Sequence, residues 1–196
     1  MSKGNSGLFS GTMGVAVNST YLTGSSDVES YSDRGIDIPE HIKEHLAHLQ
    51  NKGDYITGSV GAFSMSDVSI MSKETGVEFA HVTIGDTTYL IRGDVKGTVI
   101  PYDLFDKMKK KGGRWDFHSH PFNGDCIPSQ GDTAAFAAIK KYTGQEYSEI
   151  VTPDGIISKF NENGLIEKTT VSNKMSDEYK RYLIDLFGGT WNDKYI

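Results

Sequence analysis

The sequence predicts an α/β (α+β) domain built on a mixed β-sheet that is flanked by helices. Three observations support this: some segments repeat apolar residues at helical spacing, others are β-rich runs, and several of those runs are joined by short turn sequences. Helices therefore interleave with mostly hairpin-linked strands over residues 55 to about 190. At 196 residues the chain can hold one ordinary domain and an appendage, but not a large barrel.

Composition separates a leader from this domain. Residues 1–35 are more than half Gly, Ser, Thr and Asn, so they can bury little apolar surface against the entropy of ordering them. We expect a Gly/Ser-rich flexible leader or loosely docked strand over 1–35, a helical segment over 36–54 and the main domain over 55–196. Such a leader is typical of a C-terminal module joined to a longer polypeptide.

Helices are predicted from capping signals, apolar spacing and glycine stops over 37–50, 64–76, 101–112, 133–142 and 176–187. The first is expected to begin with a capping box, Asp37-x-x-Glu40, and the second with Ser64-x-x-Asp67. Strands are predicted from β-rich runs between turn residues over 77–84, 87–92, 97–100, 115–120, 149–151, 156–160 and 165–171. Gly85-Asp86 is expected to close a hairpin between the first two.

Charge and cysteine content exclude several classes of function. With 20 basic and 26 acidic residues the chain carries a formal charge of −6, which argues against a nucleic-acid partner. A single cysteine, Cys126, excludes internal disulfides and Cys-rich zinc sites. The sequence has no apolar run long enough for a bilayer and no signal peptide at its start, so we expect no membrane partner, with a cytoplasmic location or delivery as an effector.

The most informative stretch, residues 115–121, reads Trp-Asp-Phe-His-Ser-His-Pro. Alternate side chains of a strand share a face, so we expect His118 and His120 to converge on the face of Asp116. The opposite face then carries Trp115, Phe117 and Ser119. Two neutral imidazoles about 7 Å apart along the strand, closed by a carboxylate from the next helix, make a three-ligand metal site that leaves room for water.

The carboxylate from that helix has two interpretations. Ser129-x-x-Asp132 comes directly before the helix predicted over 133–142, so Asp132 is placed to close the metal site. The same four residues would also serve as a capping box with no metal present. Spacing alone leaves both interpretations open.

Other metallohydrolases with a His-x-His motif are excluded by what the chain lacks. No histidine follows His120, whereas amidohydrolase barrels, histidinol-phosphatase-like phosphoesterases and metallo-β-lactamases take further histidines downstream. Zinc nucleobase deaminases need Pro-Cys-x-x-Cys, which a single cysteine cannot supply.

The surviving pattern, His118-Ser119-His120-Pro121 with Ser129-x-x-Asp132, resembles the signature of the JAMM, or MPN-type, metalloproteases over roughly residues 64–160. The resemblance implies a cytidine-deaminase-like fold and hydrolysis of peptide or isopeptide bonds, often at ubiquitin-like modifiers. It also implies Zn²⁺ as the cofactor, with His118, His120 and Asp132 as its ligands and Ser129 beside the reacting water. The loop between His120 and Ser129 is one residue longer than is usual in the family, and Gly124 allows it to bulge.

The family also carries a glutamate on an earlier strand as general acid/base, for which this chain offers Glu78 and Glu74. Glu74 falls in the last turn of a predicted helix, where it would be solvated. Glu78 lies in the β-run 77–84 on the face of Ala80 and Val82, where an unpaired carboxylate is costly to bury. We therefore predict Glu78 as the catalytic acid/base and Ser129 as a hydrogen-bond donor to the developing oxyanion.

Histidines elsewhere offer a rival metal site. Residues 41–45 read His-Ile-Lys-Glu-His, which matches the pattern of inverted zincins. The apolar stripe of that helix already occupies its buried side, so we expect these histidines and His48 on a solvated flank. His81, on the strand face opposite Glu78, is expected to be a structural core residue.

Three functions are left open by the sequence. The first is a zinc metallopeptidase or isopeptidase acting on a protein or peptide substrate, including ubiquitin-like proteins. The second is a catalytically inactive MPN-type binding module. The third is the toxin or effector domain of a polymorphic protein, acting on a substrate without ubiquitin and paired with an immunity protein. The sequence does not indicate the oligomeric state.

Overall fold

The computed structural model describes residues 15–16 and 30–170 of the chain. A seven-stranded mixed β-sheet flanked by four helices forms its centre, which confirms the predicted fold class at that level. The helix predicted over 176–187 lies outside the described residues. Within the described part, no helix combines the length and the apolar character that a bilayer span requires.

The four helices are α1 (Glu40–His48), α2 (Met65–Thr75), α3 (Tyr102–Lys111) and α4 (Gln130–Thr143). Both α2 and α4 begin with a capping box, at Ser64 and Ser129, as predicted. The capping box predicted for α1 is wrong. Its N-cap is Pro39, which makes no side-chain cap, and the Asp37 carboxylate instead lies 2.8 Å from the Lys43 ammonium. Asp37 stands two residues before that cap, too far from the first turn to accept its N–H groups.

The strands are β1 (Val15–Ala16), β2 (Tyr55–Ser59), β3 (Phe79–Ile84), β4 (Thr87–Arg92), β5 (Val99–Ile100), β6 (Arg114–Ser119), β7 (Ser148–Val151), β8 (Ile156–Asn161) and β9 (Gly164–Thr170). The main sheet has the order β2-β4-β3-β6-β7-β8-β9, and of its pairs only β6 and β7 run parallel. Strand β2 was not predicted, because this edge strand buries no residue fully and so lacks a core-facing pattern.

Strand β5 does not join the main sheet. It pairs antiparallel with β1, which lies inside the segment predicted as a leader. Tyr31, also inside that segment, is fully buried in the core. Structured contacts therefore begin before residue 36.

Two apolar clusters pack on opposite faces of the sheet. The first includes Ile42 of α1 and Val68 of α2, and the second includes Leu104 of α3 and Phe136 of α4. Neighbouring strand residues alternate between the clusters, so that Phe79 belongs to the first and residue 80 to the second. The sheet is therefore covered by α1 and α2 on one face and by α3 and α4 on the other.

The pairing of β3 with β6 contains a register shift. The paired residues are Ala80 with His118, His81 with Phe117, and Val82 with Trp115. Two residues of β6 thus span one step of β3, which is a β-bulge at Asp116 and reverses the alternation of side chains there.

The bulge corrects the predicted facing of β6. Asp116 lies with His81, whose ring nitrogen Nδ1 is 3.0 Å from the carboxylate, rather than with the predicted ligands His118 and His120. Trp115 lies with His118, their ring centres being 4.9 Å apart. The prediction was wrong for Asp116 and Trp115, because a strict period of two cannot anticipate a bulge.

At Gly93, just after β4, the backbone packs closely against the backbone of Glu78, just before β3. A substitution at Gly93 tests this packing. A Cβ at this position would lie 2.5 Å from the Gly97 carbonyl oxygen and 3.0 Å from that of Glu78. Because both obstacles are backbone atoms, we expect Gly93→Ala to lower the free energy of unfolding by about 1–3 kcal/mol in urea denaturation. Val95→Ala, at an exposed position, is the control and should change it by less than about 0.5 kcal/mol. Equal midpoints for the two variants would contradict this packing.

Candidate metal centre

The ends of three elements bring four polar side chains to one point. Glu78 directly precedes β3, His118 lies near the end of β6 with His120 just beyond it, and Asp132 is in the first turn of α4. Because Ala80 pairs with His118, the same register places Glu78 opposite His120. Residues opposite each other in an antiparallel pair share a face, and the small Ala80 side chain leaves room for the imidazoles.

Glu78, His118 and His120 form the tightest group. Each offers one ligand atom, and these atoms lie within 4.8 Å of one another. The Nε2 atoms of the two histidines are 3.0 Å apart. All three side chains are 0% exposed. The structure therefore brings together the two predicted histidine ligands and the predicted acid/base.

Asp132 stands beside this group and also caps α4. Its Oδ1 lies 3.3 Å from His118 Nε2 and its Oδ2 lies 3.7 Å from His120 Nε2. The same Oδ2 accepts the Ser129 backbone N–H at 2.7 Å, and Ser129 Oγ accepts the Asp132 N–H at 3.1 Å. The two interpretations of Ser129-x-x-Asp132 are thus compatible, because one carboxylate makes both sets of contacts. The role of Ser129 toward an oxyanion stays a prediction.

The loop after β6 orients His120. The backbone carbonyl of Asp125 lies 2.7 Å from His120 Nδ1, and since a carbonyl only accepts, Nδ1 carries the proton. In the neutral ring, Nε2 then presents a lone pair to the cluster, which is the arrangement of a metal-binding histidine. Gly124, with φ of 74°, adopts the left-handed conformation in a turn of this loop. The backbone contact from Asp125 could not be anticipated, since no side-chain pattern signals it.

Burial and neighbouring charges shift the pKa values of the clustered side chains in different directions. Burial lowers the pKa of His118, and the Asp132 carboxylate only partly offsets this. Burial also acts to lower the pKa of His120, but hydrogen bonds with Asp125 and Asp132 and the charge of Glu78 outweigh it and raise this pKa well above its usual value. Burial alone would raise the pKa of Asp132, but the two imidazoles hold it below its usual value. The neighbouring carboxylates therefore favour the protonated, charged form of the His120 imidazole.

The donor set fits a divalent transition ion. If both imidazoles bind a metal as neutral ligands and both carboxylates are ionised, the four buried side chains carry two negative charges, which a divalent cation would neutralise. Imidazole nitrogen with carboxylate oxygen is a set that zinc accepts. The Glu78, His118 and His120 group can therefore hold a metal ion.

The remaining histidines lie apart from this centre. His81 is buried, stacks on Phe117 with ring centres 4.7 Å apart and contacts Asp116, as expected of a core residue. His41 and His48 are exposed on α1, as predicted, but His45 is half-buried and packs on Phe63 with ring centres 5.3 Å apart, so the prediction of a solvated flank was wrong for this residue. No further group of three ligand atoms this close occurs in the part of the chain that the structure describes.

Glu74, the other candidate for the acid/base, and the single cysteine have partners of their own. Glu74 is hydrogen-bonded to Ser32 through both the backbone N–H and the hydroxyl. Cys126 is buried, and its carbonyl accepts the Ser158 hydroxyl. The geometry therefore favours Glu78 over Glu74 as the carboxylate that acts with the histidines.

Comparison of the chain with protein-family models, with curated proteins and with solved structures finds no match.

Metal stoichiometry tests the site directly. We expect the protein saturated with zinc and then desalted to retain one ion per chain, measured by elemental analysis. His118→Ala and His120→Ala each remove one of the two imidazoles and should leave less than about a tenth of that content.

His41→Ala and His48→Ala are the matched controls, since each removes an exposed imidazole from α1. Both should retain the ion. Loss of zinc from His41→Ala together with its retention in His118→Ala would assign the metal to the rival site on α1.

Proposed function

We propose that this chain is a zinc-dependent hydrolase of peptide or isopeptide bonds, a JAMM-like metalloprotease with a cytidine-deaminase-like MPN fold. The observation that carries the proposal is the buried cluster of Glu78, His118 and His120 with Asp132 beside it. These residues occur in the order that the resemblance implies: a glutamate that opens a strand after a helix, two histidines at the end of a later strand, and an aspartate at the start of the next helix.

The proposed metal ligands are His118, His120 and Asp132. Zinc, when bound, acts as a Lewis acid and makes water a nucleophile at neutral pH. The chain's own residues prepare the reaction: the Asp125 carbonyl fixes the tautomer of His120, and the α4 cap holds the Asp132 carboxylate toward both imidazoles.

Glu78 is the proposed proton carrier. In the fold its carboxylate shares the buried cluster with both imidazoles, so a proton taken from water need travel only a short way. Glu78 then gives that proton to the leaving amine. Ser129 is proposed to donate a hydrogen bond to the oxyanion that develops on the carbonyl.

The proposed substrates are proteins or peptides, with ubiquitin-like proteins as the class that the resemblance favours. An effector domain with an immunity partner would use the same chemistry on a different protein. Neither choice depends on the cluster itself, because the residues that would recognise a substrate lie outside it.

A second candidate function is the catalytically inactive binding module. It is favoured by one observation, the complete burial of Glu78, His118, His120 and Asp132. Structural zinc sites are closed, whereas catalytic sites keep an open position for water or substrate. In that case the ion would stabilise the domain without reacting.

Substitution of Glu78 separates these functions. We expect Glu78→Gln to retain one zinc per chain and to lower kcat by about 10²–10⁴-fold, the usual contribution of general acid/base catalysis. Cleavage is followed on an isopeptide-linked ubiquitin dimer and on a fluorogenic peptide library. Glu74→Gln, which removes a carboxylate bonded to Ser32, is the control and should leave both zinc and kcat unchanged.

Two results would contradict the proposal in different ways. If Glu78→Gln loses its zinc, then Glu78 is a ligand and not the proton carrier. If the wild-type protein binds one zinc and cleaves no substrate of either kind, the inactive binding module is the better account.

A further inference from the structure

Ser119, which stands between the two histidines, makes a contact that the proposed roles do not use. Its Oγ accepts the backbone N–H of Phe79 at 2.9 Å, and both residues are fully buried. Phe79 is the neighbour of Glu78, so this bond joins the segment that carries the carboxylate to the segment that carries the imidazoles.

The bond replaces regular strand pairing at a specific place. The β3–β6 ladder ends with Ala80 opposite His118, and the same register would put Phe79 opposite Ser119. At this step the Phe79 N–H is taken by a side chain instead of a backbone carbonyl. A hydroxyl on a β-carbon can therefore set the distance between the two strand ends where the ladder has stopped.

The backbone of Glu78 itself is held from the other side. Its N–H donates to the Asp94 carbonyl at 3.1 Å, and its carbonyl accepts the Gly93 N–H at 2.7 Å. Both bonds fasten Glu78 to the segment that follows β4, and neither reaches β6. The bond one residue away, between Phe79 and Ser119, does tie this segment to β6, just beyond the end of the ladder.

We propose that Ser119 is a positioning residue, whose hydroxyl holds Glu78 at the distance from the two histidines that proton transfer requires. This inference rests on the proposed hydrolase function for its kinetic consequence. It also has a structural consequence that needs neither zinc nor substrate, because the Phe79 amide and the Glu78 carboxylate report on the bond directly.

The test uses two substitutions in the full chain. Ser119→Ala removes the hydroxyl, and Ser119→Thr keeps an Oγ in the same place. We expect Ser119→Ala to retain one zinc, to keep KM within about twofold and to lower kcat by about 10–100-fold, as is typical when a supporting contact near a metal site is lost. Ser119→Thr should recover kcat to within about threefold of the wild type.

Nuclear magnetic resonance of the metal-free protein gives the second readout. The Phe79 amide should exchange with solvent at least about tenfold faster in Ser119→Ala, and the Glu78 side-chain carboxyl carbon should shift. Ser119→Thr should restore both values. Ser69→Ala is the control, because Ser69 is another fully buried serine, on α2, whose hydroxyl bonds to the backbone carbonyl of Thr152 and to no residue of the cluster's strand β6 in that bond.

The outcomes distinguish the two proposals. If Ser119→Ala speeds Phe79 exchange but leaves the Glu78 carbon and kcat unchanged, the serine is merely structural and the positioning role is overturned. The same conclusion holds if Ser69→Ala lowers kcat equally. If the wild type is inactive, the hydrolase proposal fails, and the shift of the Glu78 carbon still decides whether Ser119 positions that carboxylate.

Discussion

Backbone pairing between β3 and β6 holds Ala80 opposite His118, and the geometry of the candidate metal centre depends on this contact. One step further along the same register, Glu78 comes opposite His120. Two strand ends therefore deliver one carboxylate and two imidazoles to the sheet face that α4 covers, and the first turn of α4 adds Asp132. His118 and Asp132 lie within regular elements, whereas Glu78 and His120 lie just beyond strand ends and are held there by loop contacts as well as by the register.

Burial makes this cluster costly unless its charges are balanced. The effective penalty for an unpaired buried ion is several kcal/mol, whereas a typical hydrogen bond contributes only about 0.5–1.5 kcal/mol net. The bonds from Ser129 to Asp132 and from His120 to Asp125 hold these side chains in place. The carboxylates raise the pKa of His120, so a protonated imidazole offsets part of their charge when no metal is bound. Binding of a structural zinc ion contributes about 10–16 kcal/mol in small domains, which is large enough to decide the balance. The physical case for a metal therefore rests on charge and burial as well as on ligand spacing.

Much of the fold and site could be predicted because the signals are local. Two serine capping boxes, at Ser64 and Ser129, correctly marked helix starts, and the burial argument that favoured Glu78 over Glu74 agrees with where the structure places each side chain. What could not be predicted depends on contacts between distant segments. The bulge at Asp116 is a property of the β3–β6 pair, and β5 pairs with β1 because of tertiary packing rather than any pattern in either strand. The hydrogen bond from the Phe79 N–H to the Ser119 hydroxyl could not be predicted either, because it also joins two distant segments.

The most direct test of the central claim is a crystal structure of the zinc-loaded protein with anomalous scattering recorded at the zinc edge. We predict one anomalous peak about 2.0–2.1 Å from the Nε2 atoms of both His118 and His120, with an Asp132 oxygen at about 2.0–2.2 Å. Glu78 should lie outside that ligand shell, within hydrogen-bond reach of the ion's fourth ligand. A zinc ion bound on α1 at His41 and His45, or clear density for the four buried side chains with no ion among them, would contradict it.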